Sequence, residues 1–313
     1  MKFFYSEILD PILNLSIEKW LMSREDLEGT EVILFYRNMP SVIIGRFQNP
    51  WLECDLKKMS ERSIPLVRRE SGGGAVFHDP GNMNFSFICR KDKMIKEEKT
   101  NLIVGALKSL GIEAVKGKRN DIFIDGKKIS GSAGRYTSNR ALHHGTLLID
   151  SDLDSLDGYL TAKAYDTAQV KSQGIPSIRS KVTNIGYYCD GIDYPMICQA
   201  IVNRAAGTSK GTGEIIHLYR PEVEKNEEII KYRTALAGWD WLYGKTPSFS
   251  MICPARISGN LFSCRFDVRR GLVATLFPME ENVDNERESL LTEKYLGRRF
   301  NDIYHSQSEI SAF

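Results

Sequence analysis

The sequence predicts an α+β protein: a large domain of mainly antiparallel sheets flanked by helices over residues 1–250, and a small α+β C-terminal domain over 251–313. Three observations carry this prediction. Strand-like runs outnumber helical ones over the first 150 residues, and the connections between them are short. Near residue 251 the pattern changes to a strand pair followed by helical sequence.

Taken in order, residues 10–22 place Ile12, Leu13, Leu15, Ile17, Trp20 and Leu21 roughly on one helical face, and Pro11 after Asp10 suits a helix start. EVILFY (31–36) and SVIIG (41–45) read as two strands joined by the turn RNMP, which predicts a hairpin. IPLVRR (64–69) and MNFSFIC (83–89) are further strands; the second alternates polar and apolar residues, as a half-buried strand does. A helix over 98–110 is stopped by Gly111. Asp125-Gly126 then joins two more strands and is the strongest hairpin signal in the chain. HHGTLLID (143–150) is another strand. Helices are predicted over 155–170, 193–205 and 225–237, separated by a polar loop at 171–184 and a flexible connection at 206–214. The glycines and proline of 238–250 close the large domain. The strand pair NLFSCRFDV and LVATLF and a terminal helical part make up a second unit too small to be stable with assurance on its own.

Composition limits what such a chain does. With 42 basic and 40 acidic residues the net charge is +2, which gives no basis for nucleic acid or a membrane as a bulk partner. The six cysteines form no CxxC pair, and the histidines lack zinc-site spacing. Scattered cysteines suit a reducing compartment. The amino-terminal stretch carries acids early and lacks a continuous apolar core, so it does not read as a signal peptide, and a soluble intracellular protein is expected.

Residues 68–82, RRESGGGAVFHDPGN, join two arginines to three successive glycines. Each glycine costs about 0.5–1 kcal/mol relative to alanine in regular structure, so the cluster suggests that something approaches the backbone closely. Asn120-Asp121, Lys127-Lys128 and the small-residue run SGSA (130–133) follow. Glycine-rich turns aim backbone N–H groups at anions, aspartate offers a hard oxygen for magnesium, and lysine offers a cation for phosphate or carboxylate. These are parts for handling a nucleoside triphosphate beside a second anion. GxxxxGK[ST] and GxGxxG are both absent. On the residues alone, an anion-binding loop and a merely tight glycine turn remain open.

The whole ordered set is more specific. RRESGGGAVFHDPGN, KRND, KKISGSA and HHGTLLID, with GRFQNPWLECD at 45–55 and SIRSKVTN at 177–184, closely resembles the lipoate–protein ligase A family. The resemblance runs from about residue 10 to at least 250, and the remainder is similar, more loosely, to that family's small accessory domain. It implies the biotin/lipoate ligase fold and a two-step reaction: lipoate and Mg-ATP give lipoyl-AMP and pyrophosphate, then the acyl group passes to a lysine of an acceptor. The implied acceptors are lipoyl domains of 2-oxoacid dehydrogenase E2 subunits and the glycine-cleavage H protein.

By the same resemblance Lys128 contacts both the lipoate carboxyl and the α-phosphate. Arg69, Gly74, Ala75, Val76, Phe77, Asn120 and Asp121 join it as nucleotide-side residues, with Asp121 the magnesium ligand. Gly45, Arg46, Ser71, Gly72, Gly73 and Arg135 fall on the lipoyl side. Residues 171–184, with Gly174, Arg179 and Lys181, are expected to form a lid over the adenylate. A cytoplasmic location follows, or the mitochondrial matrix if a leader precedes this sequence.

Blander readings stand beside these. Lys127 is expected to be solvated and Arg68 to be a surface charge outside the site. His78 and Asp79 serve equally well as turn caps. One of His143 and His144 is expected to point inward and hydrogen-bond, neither as a general base. Trp239 and Trp241 are expected to pack the domain junction. Glu70 departs from the family's small polar residue and is expected to face solvent; Gly134 removes a side chain before Arg135. Three rival functions remain: a lipoyltransferase using pre-activated groups, a thiol-dependent octanoyltransferase for which no cysteine is a defensible nucleophile, and a nonenzymatic lipoyl- or nucleotide-binding regulator.

Overall fold

The structure, a computed structural model, describes residues 1–160, 170–207, 214–280 and 283–308. Four sheets and their helices give the expected α+β architecture. The largest sheet runs β10 (Ser132–Tyr136), β11 (Arg140–Leu148), β6 (Asn82–Arg90), β2 (Val32–Tyr36), β1 (Lys2–Ser6) and β13 (Ile215–Leu218). Its first four strands pair antiparallel, while β1 pairs parallel with both β2 and β13. A second sheet places β3 (Ser41–Ile44) between β4 (Leu66–Arg68) and β5 (Val76–His78). A third joins β7 (Val115–Lys116), β8 (Ile122–Ile124) and β9 (Lys127–Ser130), with the last two forming the expected hairpin at Asp125-Gly126. The fourth orders β12 (Lys171–Ser172), β14 (Phe249–Ile257), β15 (Asn260–Arg269) and β16 (Leu272–Pro278), all antiparallel.

The hairpin expected from 31–36 and 41–45 does not form. β2 and β3 enter different sheets, because both are apolar, buried along their whole length and flanked by two neighbours each. Their connection is pinned elsewhere: the buried Asn38 accepts from Asn14 Nδ2 at 2.8 Å and meets His78 Nδ1 at 2.9 Å. Nor is β6 half-buried. Its alternation is real, but the polar face (Asn82, Asn84, Ser86) is covered by the protein instead of water.

The first helix spans Pro11–Ser23 because Asp10 caps it, accepting from the N–H of Ile12 and Leu13 at 2.9 and 3.0 Å, with Pro11 in the first turn. It packs with β2 and the helix Glu227–Ala237 around Leu13, Ile17 and Leu21. The helices Lys96–Ser109 and Tyr194–Ala205 cover the other face of the large sheet. A further helix is observed at Leu153–Tyr159, so the predicted 155–170 helix starts earlier and is already over at Leu160; residues 161–169, and most of the 206–214 connection, lie outside the described residues. The C-terminal strands and the helices Asn285–Tyr295 and Phe300–Ser308 share one apolar cluster with Val42, Ile44, Trp51 and Phe77. Trp51 sits at its centre, with ring centroids 5.1 Å from Phe249 and 5.4 Å from Phe300. Among the described residues no helix is long and apolar enough to cross a membrane.

Candidate active site

The loop between β4 and β5 is built around close approach. Gly73 has φ +88°, a left-handed conformation that disfavours side chains. A Cβ on Gly45 would stand 2.1 Å from the Gly73 carbonyl oxygen, so the loop folds onto the end of β3 only because residue 45 has none.

Arg69 holds this loop from within. Its Nε donates to Ser71 Oγ (3.0 Å), Nη1 to the Ile43 carbonyl (3.1 Å), and Nη2 to the carbonyls of Gly72 and Gly74 (both 2.7 Å). Burial lowers its pKa to about 10, which leaves it charged at neutral pH. Arg68 is not the surface charge expected. It is fully buried, donating to the carbonyls of Gly45, Arg46, Gln48 and Leu242 and to Thr246 Oγ1. Its donors find acceptors 174 residues away, which local sequence does not announce.

Glu70 also departs from expectation. It does not face solvent but is held between Lys19, at 3.0 Å, and Arg135, in a small recess behind the loop. Two neighbouring cations make that burial tolerable.

A chain of buried groups continues from the loop. Ser71 Oγ lies 2.7 Å from His144 Nε2, and His144 Nδ1 lies 2.8 Å from Glu18, which also accepts from Ser86 Oγ at 2.6 Å. Burial raises the Glu18 pKa, but His144 and Ser86 outweigh it and hold the carboxyl below its ordinary value. These are the spacings of a nucleophile, base and orienting acid. Ser71 is nevertheless buried, off the cavity wall and already accepting from Arg69, so the chain braces the loop. His143 is buried too, and burial pushes it down to about 4, so it is neutral. His78, under the loop, is pushed by burial to about 3 and is likewise neutral. Asp79 is structural: it accepts from Gly81 N–H, Ser151 Oγ and Asp152 N–H at 2.7–2.9 Å.

Opposite the glycine loop, the β8–β9 hairpin presents Lys128, whose Nζ lies 3.0 Å from Asp121 Oδ1; Lys127 is exposed, as expected. Between these walls lies a cavity of about 300 Å³. Of the predicted residues, Arg69, Gly73, Gly74, Ala75, Val76, Asp121 and Lys128 line it. Gly45, Arg46, Ser71, Gly72, Phe77, Asn120, Arg135, Gly174, Arg179 and Lys181 do not. Arg135 is engaged by Glu70, Phe77 packs on Tyr159 behind the wall, and Asn120 takes the left-handed conformation (φ +60°) of a turn. Arg46 stacks over Phe47 and Trp241. Trp239 stacks on Tyr243 and beneath Arg299, where the C-terminal part meets the rest, whereas Trp241 donates from Nε1 to the Arg68 carbonyl and packs with Leu15, Ile43, Val67 and Leu236, away from the expected junction.

The loop 171–184 roofs the cavity with Ile175, Pro176, Ser177, Ile178 and Ser180. Its ends are tied to sheets: β12 pairs with β14, and Lys128 bonds across to Lys181 and Thr183 through the backbone at 2.8 and 3.1 Å. Its middle is seated by Ser177, whose Oγ donates to Glu53 and accepts from Ala75 N–H and Gln48 Nε2, both at 2.9 Å. Sequence reasoning missed the back wall: Leu15, Tyr36, Ile43, Asn84, His144 and Thr146, and Arg119 at the mouth. The one available signal was buried-strand patterning interrupted by polar residues at 84 and 144. Among the described residues Asp121 is the sole carboxylate on the wall, and no cluster of three or more potential metal ligands occurs.

A family model described as the lipoyl protein ligase A/B catalytic domain matches residues 10–206. The chain is 33% identical to a lipoate–protein ligase A of Psychrobacter cryohalolentis, covering 100% of this chain and 95% of that protein. It is 37% identical to a lipoate–protein ligase A of Bdellovibrio bacteriovorus over 88% and 81% of the two. Among solved structures, it resembles P. falciparum LipL1 in complex with lipoate, with a TM-score of 0.68 at 26% identity over 99% of each chain. It also resembles a lipoate–protein ligase A bound with ATP, with a TM-score of 0.61 at 25% identity over 77% of this chain and 98% of that one. The chain belongs to the lipoate–protein ligase A family.

Proposed function

We propose that this ligase activates lipoate with ATP to lipoyl-AMP and transfers the lipoyl group to the side-chain amine of a lysine on lipoyl domains. The observation that carries this reading is one cavity with an apolar back (Leu15, Ile43, Val76) and a charged mouth (Arg119, Asp121, Lys128). A hydrocarbon chain suits the first and a carboxylate meeting a phosphate suits the second. Support from relatives comes from the solved structures with lipoate and with ATP, and from an archaeal lipoylation system of Thermoplasma acidophilum, described as a bipartite lipoate protein ligase and its E2 lipoyl domain, at 26% identity and a TM-score of 0.62 over 77% of this chain and 96% of that one. The glycine-cleavage H protein is a second proposed acceptor.

In the first step a lipoate carboxylate oxygen attacks the α-phosphorus and pyrophosphate leaves. Lys128 stands between the two anions and offsets the charge that accumulates as they meet. Asp121 would hold Mg²⁺ by one hard oxygen, the phosphates supplying others; the ion screens phosphate charge. In the second step the acceptor amine attacks the acyl carbonyl, loses a proton and expels AMP. The 171–184 roof keeps water from the mixed anhydride in between. Residues 1–250 carry activation in this reading, and Phe249 and Ser250, at the start of β14, hold one end of the roof.

The test is mass analysis of an apo lipoyl domain incubated with the protein, ATP, magnesium and lipoate. A lipoyl mass increment that requires all three supports the proposal. An increment that appears only with supplied lipoyl-AMP makes the protein a transferase that does not activate its own substrate.

A further inference from the structure

We propose that Arg119 is the cation that receives the leaving pyrophosphate. The inference rests on the ligase reading above and adds a catalytic residue to it.

Among the described residues three cations line the cavity: Arg69, Arg119 and Lys128. Arg69 directs its guanidinium to four acceptors of the protein itself, at 2.7–3.1 Å. Lys128 is paired with Asp121 at 3.0 Å. Arg119 alone of the three, among the described residues, makes no hydrogen bond or ion pair, and it is exposed at the mouth. A triphosphate brings several negative charges, more than one ammonium already shared with a carboxylate can offset. The charge that builds up during activation is on the departing β- and γ-phosphates. An arginine fork, with paired N–H groups, matches phosphate oxygens that an ammonium meets only as a point charge.

The root of this side chain is fixed while its tip is not. Arg119 sits in the turn between β7 and β8, closed by Gly117 N–H to the Asp121 carbonyl at 2.7 Å and Asn120 N–H to the Gly117 carbonyl at 3.3 Å. Asn120, in its left-handed conformation, has its carbonyl held by Ser132 Oγ at 3.3 Å. Asn tolerates that conformation better than most residues, which gives the asparagine of KRND a turn-forming reason to be there. The turn thus places Arg119 beside Asp121 at the cavity mouth. A long side chain on a rigid base can follow the pyrophosphate outward as the bond to the α-phosphorus breaks.

Arg119 should matter for making lipoyl-AMP and not for using it. The experiment measures lipoate-dependent pyrophosphate release without acceptor, and acylation of a lipoyl domain from supplied lipoyl-AMP. It uses the full chain and its Arg119→Met, Arg119→Lys and Lys118→Met variants. Lys118 carries the same charge on the same turn but is off the cavity wall. Loss of one charged phosphate contact is expected to slow pyrophosphate release roughly 10–100-fold in Arg119→Met. Arg119→Lys should recover part of that rate, Lys118→Met should match the parent, and transfer from lipoyl-AMP should be unchanged in all. Normal pyrophosphate release by Arg119→Met overturns the assignment. So does an equal loss in both half-reactions, or a loss confined to transfer, which would instead place Arg119 against the acceptor. A parent protein that releases no pyrophosphate overturns the activation reading itself and this inference with it.

Discussion

The two walls that enclose the cavity are built differently. The glycine loop is fixed: a buried arginine clasps its carbonyls, a serine, histidine and glutamate brace it from behind, and a glycine at 45 lets it lie against β3. The 171–184 roof is fastened at both ends and seated at its middle through Ser177 and the Ile175 backbone, which donates to the Phe47 carbonyl, with Ile178 left 66% exposed. A preorganised wall favours charge stabilisation, because no reorganisation is needed when charge develops; a lightly held roof favours entry and release. In the proposed reaction the two demands fall on two segments.

The largest test attacks the fixed wall. Arg69→Met removes the donor to one buried and two part-buried carbonyls and to the buried Ser71 hydroxyl, at about 1 kcal/mol each or more, so stability should fall by roughly 3 kcal/mol or more. Urea unfolding measures this; a midpoint near that of the parent would mean that Arg69 does not clasp the loop. Gly73→Val puts a β-branched residue at φ +88° and a Cβ 2.9 Å from the Arg69 guanidinium. Strain of about 1–3 kcal/mol in the loop should weaken lipoate and ATP binding by roughly tenfold or more. A folded Gly73→Val protein with normal affinities, read by calorimetry, would separate the loop from ligand binding.

Acid should also loosen the fixed side. The His78 pKa is about 3 in the folded protein against an ordinary 6.5. From pH 6.5 downward the unfolded chain therefore takes up a proton that the native state refuses, and stability falls with pH by up to about 1.4 kcal/mol per unit. His78→Gln should flatten that slope in denaturant titrations between pH 6.5 and 4; an unchanged slope would mean that His78 does not titrate this way. The smallest effect belongs to the roof. Ser177→Ala removes contacts worth about 0.5–1.5 kcal/mol each, so hydrogen exchange over 171–184 should quicken without loss of global stability. Lipoate with ATP should restore protection there. Equal exchange with and without ligand would mean that the segment is not a lid.

Much of the fixed wall and of the hairpin opposite it was legible in the sequence because the reasons are local. Three glycines beside arginines, the Asp125-Gly126 turn and the adjacent Lys127 and Lys128 can each be argued from a few neighbouring residues. What the sequence did not disclose is what non-local pairing decides. The chain order of β2 and β3 suggested a hairpin, but strands buried on both faces need two partners each and found them in separate sheets. Arg68 and Glu70 looked like surface charges because Leu242, Thr246, Lys19 and Arg135 stand far away in the chain. The back of the cavity draws one or two residues from each of four separate strands and one from the first helix, so no motif contains it.

The central claim is that Lys128, set by the hairpin between the fixed loop and the roof, bridges the lipoate carboxylate and the α-phosphate. Lys128→Met keeps the stem and removes the charge, so it should fold normally and lose about 10²–10³ in pyrophosphate release. Transfer from supplied lipoyl-AMP should fall less, and Lys127→Met, its exposed neighbour, should be mild in both. The measurement is both half-reactions at saturating ATP for the two variants and the parent. Near-normal rates for Lys128→Met in both would contradict the account.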